Sequence, residues 1–214
     1  MRYRHLSVRM AASAHVTIGL LGLVGFSMMQ QSSAPARDSH QGVTVTADPY
    51  TDAQRSRERF GKKHPHQVGL LAIEVVIRNE NTQPVRVALD QIRLVLDLGE
   101  GPRQRLAPLS LEETALALLQ KRPETQRRPF PVPGRIPTSP RGKDWEEMER
   151  LLQSLWLEMD IIPPGATAQG FLFFDLQGRF HLLERASLYF PELYFLRDGR
   201  PLMFFEVHLG RPGA

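Results

Sequence analysis

His64 and His66 stand two residues apart with Pro65 between them. On an extended strand that spacing would aim two imidazoles to one side, which makes them candidate metal ligands. A zinc site usually takes three or four protein ligands, and no third stands at a matching spacing, Asp48 and Asp52 being merely upstream. The proline points to a loop with both rings exposed, so no metal and no cofactor is implied. Glu112–Glu113 and Glu146–Glu147 are carboxylate pairs of the type used in acid–base catalysis. Both fall in the first turns of expected helices, where acids meet the positive end of the helix dipole. Trp145 and Trp156 have rings able to stack on a sugar or base, but their helical spacing beside Met148 and Leu152 reads as core. No G-x-S-x-G, H-E-x-x-H, Walker or G-x-G-x-x-G pattern occurs. No catalytic residue is assigned, and the expectation is a non-enzyme.

One segment exceeds what a fold needs. Residues 121–143 (KRPETQRRPFPVPGRIPTSPRGK) hold seven Lys/Arg, one Glu and six prolines. That many prolines forbid regular structure and favour an extended, polyproline-like surface loop. Arg127, Arg128, Arg135 and Arg141 offer fork-shaped donors suited to phosphate or carboxylate. Phe130 and Ile136 add apolar anchors. Arg127, Arg128, Phe130, Arg135 and Arg141 are therefore the candidate partner-binding residues, with an anionic macromolecule or envelope protein as partner. The bland alternative is a solvated loop whose charge only aids solubility.

The whole-chain charge of +4 is uneven. Residues 1–36 carry Arg2, Arg4 and Arg9 and no acid, and residues 121–143 carry a local +6. The remainder is net −5, which argues against nucleic acid as the partner. With no cysteine there is no disulfide, thiolate site or lipidation cysteine, so any exported domain must stand on its core alone.

Residues 10–29 contain no charged side chain and follow those three arginines; QQSSAPA comes next. This is the pattern of a secretory signal, with Ala34-Pro35-Ala36 the best cleavage candidate. The same twenty residues are long enough for an uncleaved membrane anchor with its N-terminus inside. Either way residues 37–214 are expected outside the cytoplasm, periplasmic or extracellular, secreted or held in the inner membrane. A buried helix of a cytosolic protein is the third reading.

The elements that would carry the loop follow from periodicity. Residues 30–42 read as a tether, 43–47 (VTVTA) as an edge strand, and 51–62 as a short helix anchored by Phe60. In LLAIEVVIRN, Leu71, Ile73, Val75 and Ile77 share one parity; in QIRLVLDL, Ile92, Leu94, Leu96 and Leu98 do. Period-two alternation marks strands with one face on a core. NENTQP between them is turn chemistry, with a short strand at 85–89. Ser110 to Glu113 fits a capping box opening a helix with Leu111, Ala115, Leu118 and Leu119 on one stripe. A second helix starts near Asp144 and presents Trp145, Met148, Leu152, Leu155, Trp156 and Met159. Pro164-Gly165 suits a type II turn. After it, GFLFFDL is apolar on both parities in its middle, so it is expected as a central strand, covered by an opposing sheet on one side and the helix pair on the other. Strands at 186–190, 193–196 and 202–209 complete the set, with an Asp198-Gly199 hairpin before the last.

Roughly seven short strands indicate a sandwich. The stretches LLAIEVVIRNENTQPVRV, IRLVLD and IPPGATAQGFLFFDL resemble the small immunoglobulin-like domains of bacterial secreted proteins and lipoproteins. The resemblance covers about residues 68–209, interrupted by the helical insertion at 110–160. It implies a mainly β (α+β) chain: an immunoglobulin-like antiparallel β-sandwich with a two-helix, proline-rich insertion and an N-terminal signal or anchor helix. Such domains are typically non-enzymatic modules of the cell envelope, so the expected role is binding or scaffolding another macromolecule. The alternative is a small-ligand or carbohydrate-binding domain with a pocket between helices and sheet. The helical insertion and the missing lipidation cysteine depart from the resembled pattern.

Overall fold

A computed structural model describes residues 35–99, 101–119 and 142–210. Residues 1–34 of the expected signal or anchor at 1–36, and residues 121–141 of the 121–143 loop, lie outside the described residues. Among the described residues no helix is long and apolar enough to cross a membrane.

The first half of the chain runs β1 (Ala36–His40), β2 (Val43–Tyr50), α1 (Ala53–Phe60), β3 (Leu70–Asn79), β4 (Val85–Val87), β5 (Arg93–Leu96) and β6 (Gln104–Leu106). The second half runs α2 (Leu111–Leu119), α3 (Lys143–Leu155), β7 (Ile161–Ile162), β8 (Thr167–Asp175), β9 (Ala186–Phe190), β10 (Leu193–Phe195) and β11 (Phe205–His208). The strands form three antiparallel sheets: sheet I in the order β1-β2-β3-β8, sheet II in the order β10-β4-β7, and sheet III in the order β11-β9-β5-β6.

Strand parity decides what each face of sheet I meets. Leu71, Ile73, Val75 and Ile77 of β3, with Ala168, Leu172 and Phe174 of β8, enter one apolar core. Leu94 and Leu96 of β5, Leu188 and Phe190 of β9, Val85 and Val87 of β4 and Phe205 and Val207 of β11 enter the same core. Sheets II and III therefore cover one face of sheet I. The other face has its own core, in which Ala72, Phe171 and Phe173 meet Phe60 of α1, Ala115 and Leu118 of α2, and Trp145, Met148 and Leu152 of α3. The expected helical cover over GFLFFDL is present: Phe171 is 1% exposed and Phe173 0%.

The capping box also forms. Ser110 N–H donates to Glu113 Oε2 at 2.8 Å, and Glu113 N–H donates to Ser110 Oγ at 3.2 Å. Two free donors at the start of α2 are thus satisfied reciprocally. Pro164-Gly165 makes its turn, with Gly165 at φ 70° and Ala166 N–H donating to Pro163 O at 3.1 Å.

Several expectations are corrected. Residues 36–40 are not tether but β1, joined to β2 through Gln41 and Gly42, both at positive φ. Strand β2 is consequently interior, paired with β1 and β3, and the edge lies one strand out. The apolar strand β8 pairs with β3 alone in sheet I, so it is an edge strand buried on both faces and not a central one. Its outer edge is closed instead by the chain leaving α3: Trp156 forms a parallel bridge to Phe171, and Leu157 N–H donates to Phe171 O at 3.3 Å. The crossing is close enough that a Cβ on Gly170 would stand 2.5 Å from the Leu157 backbone, which only glycine permits.

The strand expected at 202–209 splits in two. Pro201 bridges Tyr194, Leu202 N–H donates to Leu193 O, and only residues 205–208 pair with β9 in sheet III. Met203, on the same parity as Phe205 and Val207, lies outside the strand and is 61% exposed. Leu98 and Met159 likewise fall beyond their elements and are exposed. Strand β6 had no signal in the sequence beyond one leucine.

Candidate functional site

On the helix side of sheet I, β2, β3 and β8 bring Tyr50, Glu74 and Gln169 together. Tyr50 and Glu74 are on one parity of paired strands, and Glu74 is in register with Phe171, next to Gln169. The Tyr50 hydroxyl donates to Glu74 Oε2 at 3.1 Å, and the Gln169 amide donates to Glu74 Oε1 at 2.7 Å. Burial, then the Glu74 carboxylate, push the Tyr50 phenol above its usual pKa. Both carboxylate oxygens are held by donors and the phenol is kept protonated. This arrangement fixes a carboxylate in place; it does not ready a proton for transfer.

Arginines flank it. Arg55 forks onto both oxygens of Asp48, and those hydrogen bonds raise its pKa further. Its guanidinium also lies 3.9 Å from the centre of the Tyr50 ring, a cation–π contact. Arg59 lies 5.4 Å from the Phe171 ring centre. Arg59, Glu74, Ser154, Leu155, Gln169, Gly170 and Phe171 line a cleft of about 230 Å³. Binding sites for drug-sized ligands run from roughly 300 to 1,000 Å³, so this cleft is smaller than such a site.

The aromatic residues proposed as a stacking platform are spent elsewhere. Trp145, Phe171 and Phe173 are buried, and Trp156 is half-buried against Phe173 with ring centres 5.3 Å apart. The five candidate loop residues, Arg127, Arg128, Phe130, Arg135 and Arg141, lie outside the described residues. The helices on either side of them are described. Helix α2 ends at Leu119 and α3 begins at Lys143, and both are seated on sheet I through the same core.

The histidine pair is not the exposed loop expected. His64 is 4% exposed and precedes a 3₁₀ turn at Pro65–Val68. His66 stacks on Phe180 at 4.5 Å. Among the described residues no group of three metal-ligating side chains forms. Burial first, then Arg57 and His66, hold the His64 pKa below its usual value. The unfolded chain then takes up a proton near pH 6.5 that the folded chain refuses. Stability should therefore fall as pH drops below about 6.5, and His64→Gln should flatten that limb of a urea-denaturation series. A parallel loss in the variant would reject the assignment.

Sequence order gave no hint of Ser187 and His208, which are cross-strand partners in β9 and β11 with Oγ and Nδ1 2.8 Å apart. Among the described residues no carboxylate is bonded to the other ring nitrogen, and the serine is 7% exposed. A nucleophilic triad needs that third, orienting group. The pair forms a cross-strand hydrogen bond.

No family model matches the chain, and no curated protein matches it. Among solved structures it is similar to one described as a functionally unknown protein from Listeria monocytogenes EGD-e, at 13% identity and a TM-score of 0.35, covering 73% of this chain and 70% of that one.

Proposed function

We propose that this chain is a non-catalytic module of the cell envelope, an exported immunoglobulin-like β-sandwich that binds or scaffolds another macromolecule through residues 121–143. The observation that carries this reading is the way both flanks of the basic, proline-rich segment are fastened. Helices α2 and α3 share one buried core with Phe171 and Phe173, so the segment leaves and re-enters a fixed platform. Six prolines restrict the unbound chain, so an arginine-bearing segment of this composition loses less entropy when it docks on an anionic surface. The sealed cores on both sides of sheet I favour a structural platform over a reaction chamber. The apolar, uncharged run at 10–29 supports export or anchoring.

The small-ligand reading keeps one supporting observation, the Arg59–Glu74–Gln169 cleft, which offers charge of both signs and no exposed aromatic wall. The two readings separate in one experiment. Substituting Arg127, Arg128, Arg135 and Arg141 together by glutamine is expected to abolish cross-linking to an envelope partner while leaving the melting temperature within about 1 °C, since the sequence reads them as solvated charges, which contribute little to stability. Undiminished cross-linking would retire the loop as the contact.

A further inference from the structure

One face of sheet III lines the shared core; on the other, Val95 and Ser187 are buried, Arg93, Tyr189 and Glu206 half-buried, and Arg105 and His208 exposed. Leu94, Leu96, Leu188, Phe190, Phe205 and Val207 face the shared core, while the other parity faces away from it. The cross-strand register sets Arg105, Val95, Ser187 and His208 in one row, and Arg93, Tyr189 and Glu206 in the next.

The face has a consistent character. Arg93, Arg103 and Arg105 supply three positive charges against Glu206, whose carboxylate lies 3.9 Å from Arg103. Asp97 at its end is matched by Arg185 at 3.7 Å. The Arg105 guanidinium lies 6.0 Å from the Tyr189 ring centre, and Phe204 packs on the same ring at 5.5 Å. Phe204 remains 47% exposed and Met203 beside it 61%. Their backbone is pinned: Met203 N–H donates to Gln41 Oε1 at 2.7 Å, and Phe204 O is 3.0 Å from His40 Nε2. Two exposed apolar side chains are thus carried on a pinned backbone, beside Arg105 and the Arg103–Glu206 pair.

We infer that the outer face of sheet III docks on an anionic lipid surface, with Arg103 and Arg105 on headgroup phosphates and Met203 and Phe204 entering the acyl boundary. An acidic protein surface would meet the arginines alone, and the test below separates it from lipid. A flat charged face with a protruding apolar pair matches instead the two demands of an interface, charge outside and hydrocarbon within. This inference rests on the envelope reading above, because it needs a membrane within reach, but it uses residues apart from the 121–143 segment.

The chain has no cysteine, so a single introduced thiol labels cleanly. In the full-length protein, Phe204→Cys carrying an environment-sensitive fluorophore should brighten and shift to the blue with vesicles of 30% phosphatidylglycerol in phosphatidylcholine. Pure phosphatidylcholine vesicles should leave it unchanged. A label at Thr167→Cys on sheet I should stay silent, which separates face-on docking from attachment by residues 10–29. Adding Arg103→Gln and Arg105→Gln should weaken the partition about tenfold or more, each basic residue near such a surface contributing several-fold. A silent label at 204, or one that responds equally to neutral vesicles, overturns the inference. A response to soluble poly-glutamate without a response to vesicles reassigns the face to an acidic protein and overturns it too. If vesicle docking fails while the quadruple loop variant still loses its cross-linked partner, only this inference falls.

Discussion

Replacing Phe173 by alanine is expected to lower the stability of the folded unit by about 3–5 kcal/mol, the range for deleting a fully buried phenylalanine side chain. Phe173 is 0% exposed and central to the core between sheet I and the helices. Its ring meets Phe60 edge-on at 5.8 Å, Trp156 stacked at 5.3 Å and Phe171 at 6.2 Å. Alanine removes the ring from all three at once, and no single neighbour can collapse into the space without leaving its own contacts. For a unit of this size the loss corresponds to a fall in melting temperature of roughly 6–20 °C. Trp145 and Trp156 sit in the same core, so their emission reports the change directly and should shift to the red before global unfolding. Phe173→Leu keeps most of the volume and should cost under about 1.5 kcal/mol. A loss below about 1 kcal/mol for the alanine variant would show that the helices are not seated on sheet I, and the platform proposed for the basic segment would go with them.

That platform was largely legible in the sequence, because it depends on parity. Alternation in β3, β5 and β8 sorts residues into two faces, and the faces fill as the alternation demands, down to Phe171 and Phe173 on one side and Leu172 and Phe174 on the other. Periodicity fails where the determinant is polar or comes from elsewhere in the chain. Strand β1 is ARDSH, with no apolar stripe. It is held by Asp38 accepting Glu206 N–H at 3.0 Å and by His40 stacked on Phe205 at 3.8 Å, contacts 165 or more residues apart that no local pattern encodes. Charged residues on an edge strand also discourage pairing with other chains, and so look like a solvated tether. The misplacement of β8 has the opposite cause. Two apolar faces describe burial, not hydrogen-bond neighbours, and β8 owes its covered edge to Trp156 and Leu157. The cleft was illegible for a related reason. Glu74 was readable as the polar face of a strand, but its partners Tyr50 and Gln169 come from two other strands. The only hint lay in polar residues interrupting otherwise apolar faces.

Asn79 shows how much a single polar residue can hold in place, and its replacement is the second large effect expected. The residue was read only as the first letter of a turn, yet it is 0% exposed. Its side-chain nitrogen faces three carbonyl oxygens: Gln83 at 2.8 Å, Ile162 at 3.0 Å and Pro163 at 3.2 Å. Its oxygen accepts Asn81 N–H at 3.0 Å, and its backbone N–H donates to Ala166 O at 3.0 Å. One amide therefore ties the β3–β4 turn to the β7–β8 turn and sets the entry of β8 into sheet I. Asn79→Ala leaves buried groups unpaired and should cost about 2–4 kcal/mol, each such group contributing roughly 1–3. Asn79→Asp isolates the cause, since it keeps the shape and the acceptor but loses the donor. At pH 8 a carboxylate would face three carbonyls and should cost at least as much as alanine. Burial and those oxygens raise its folded pKa, so the folded state binds the proton more tightly than the unfolded one, whose value is about 3.9. The deficit relative to wild type should then shrink as pH falls through the raised pKa, because a protonated carboxyl donates again. Urea denaturation of both proteins at pH 5 and pH 8 reads the difference. An aspartate variant as stable as wild type at pH 8 would mean that the amide donors hold nothing together.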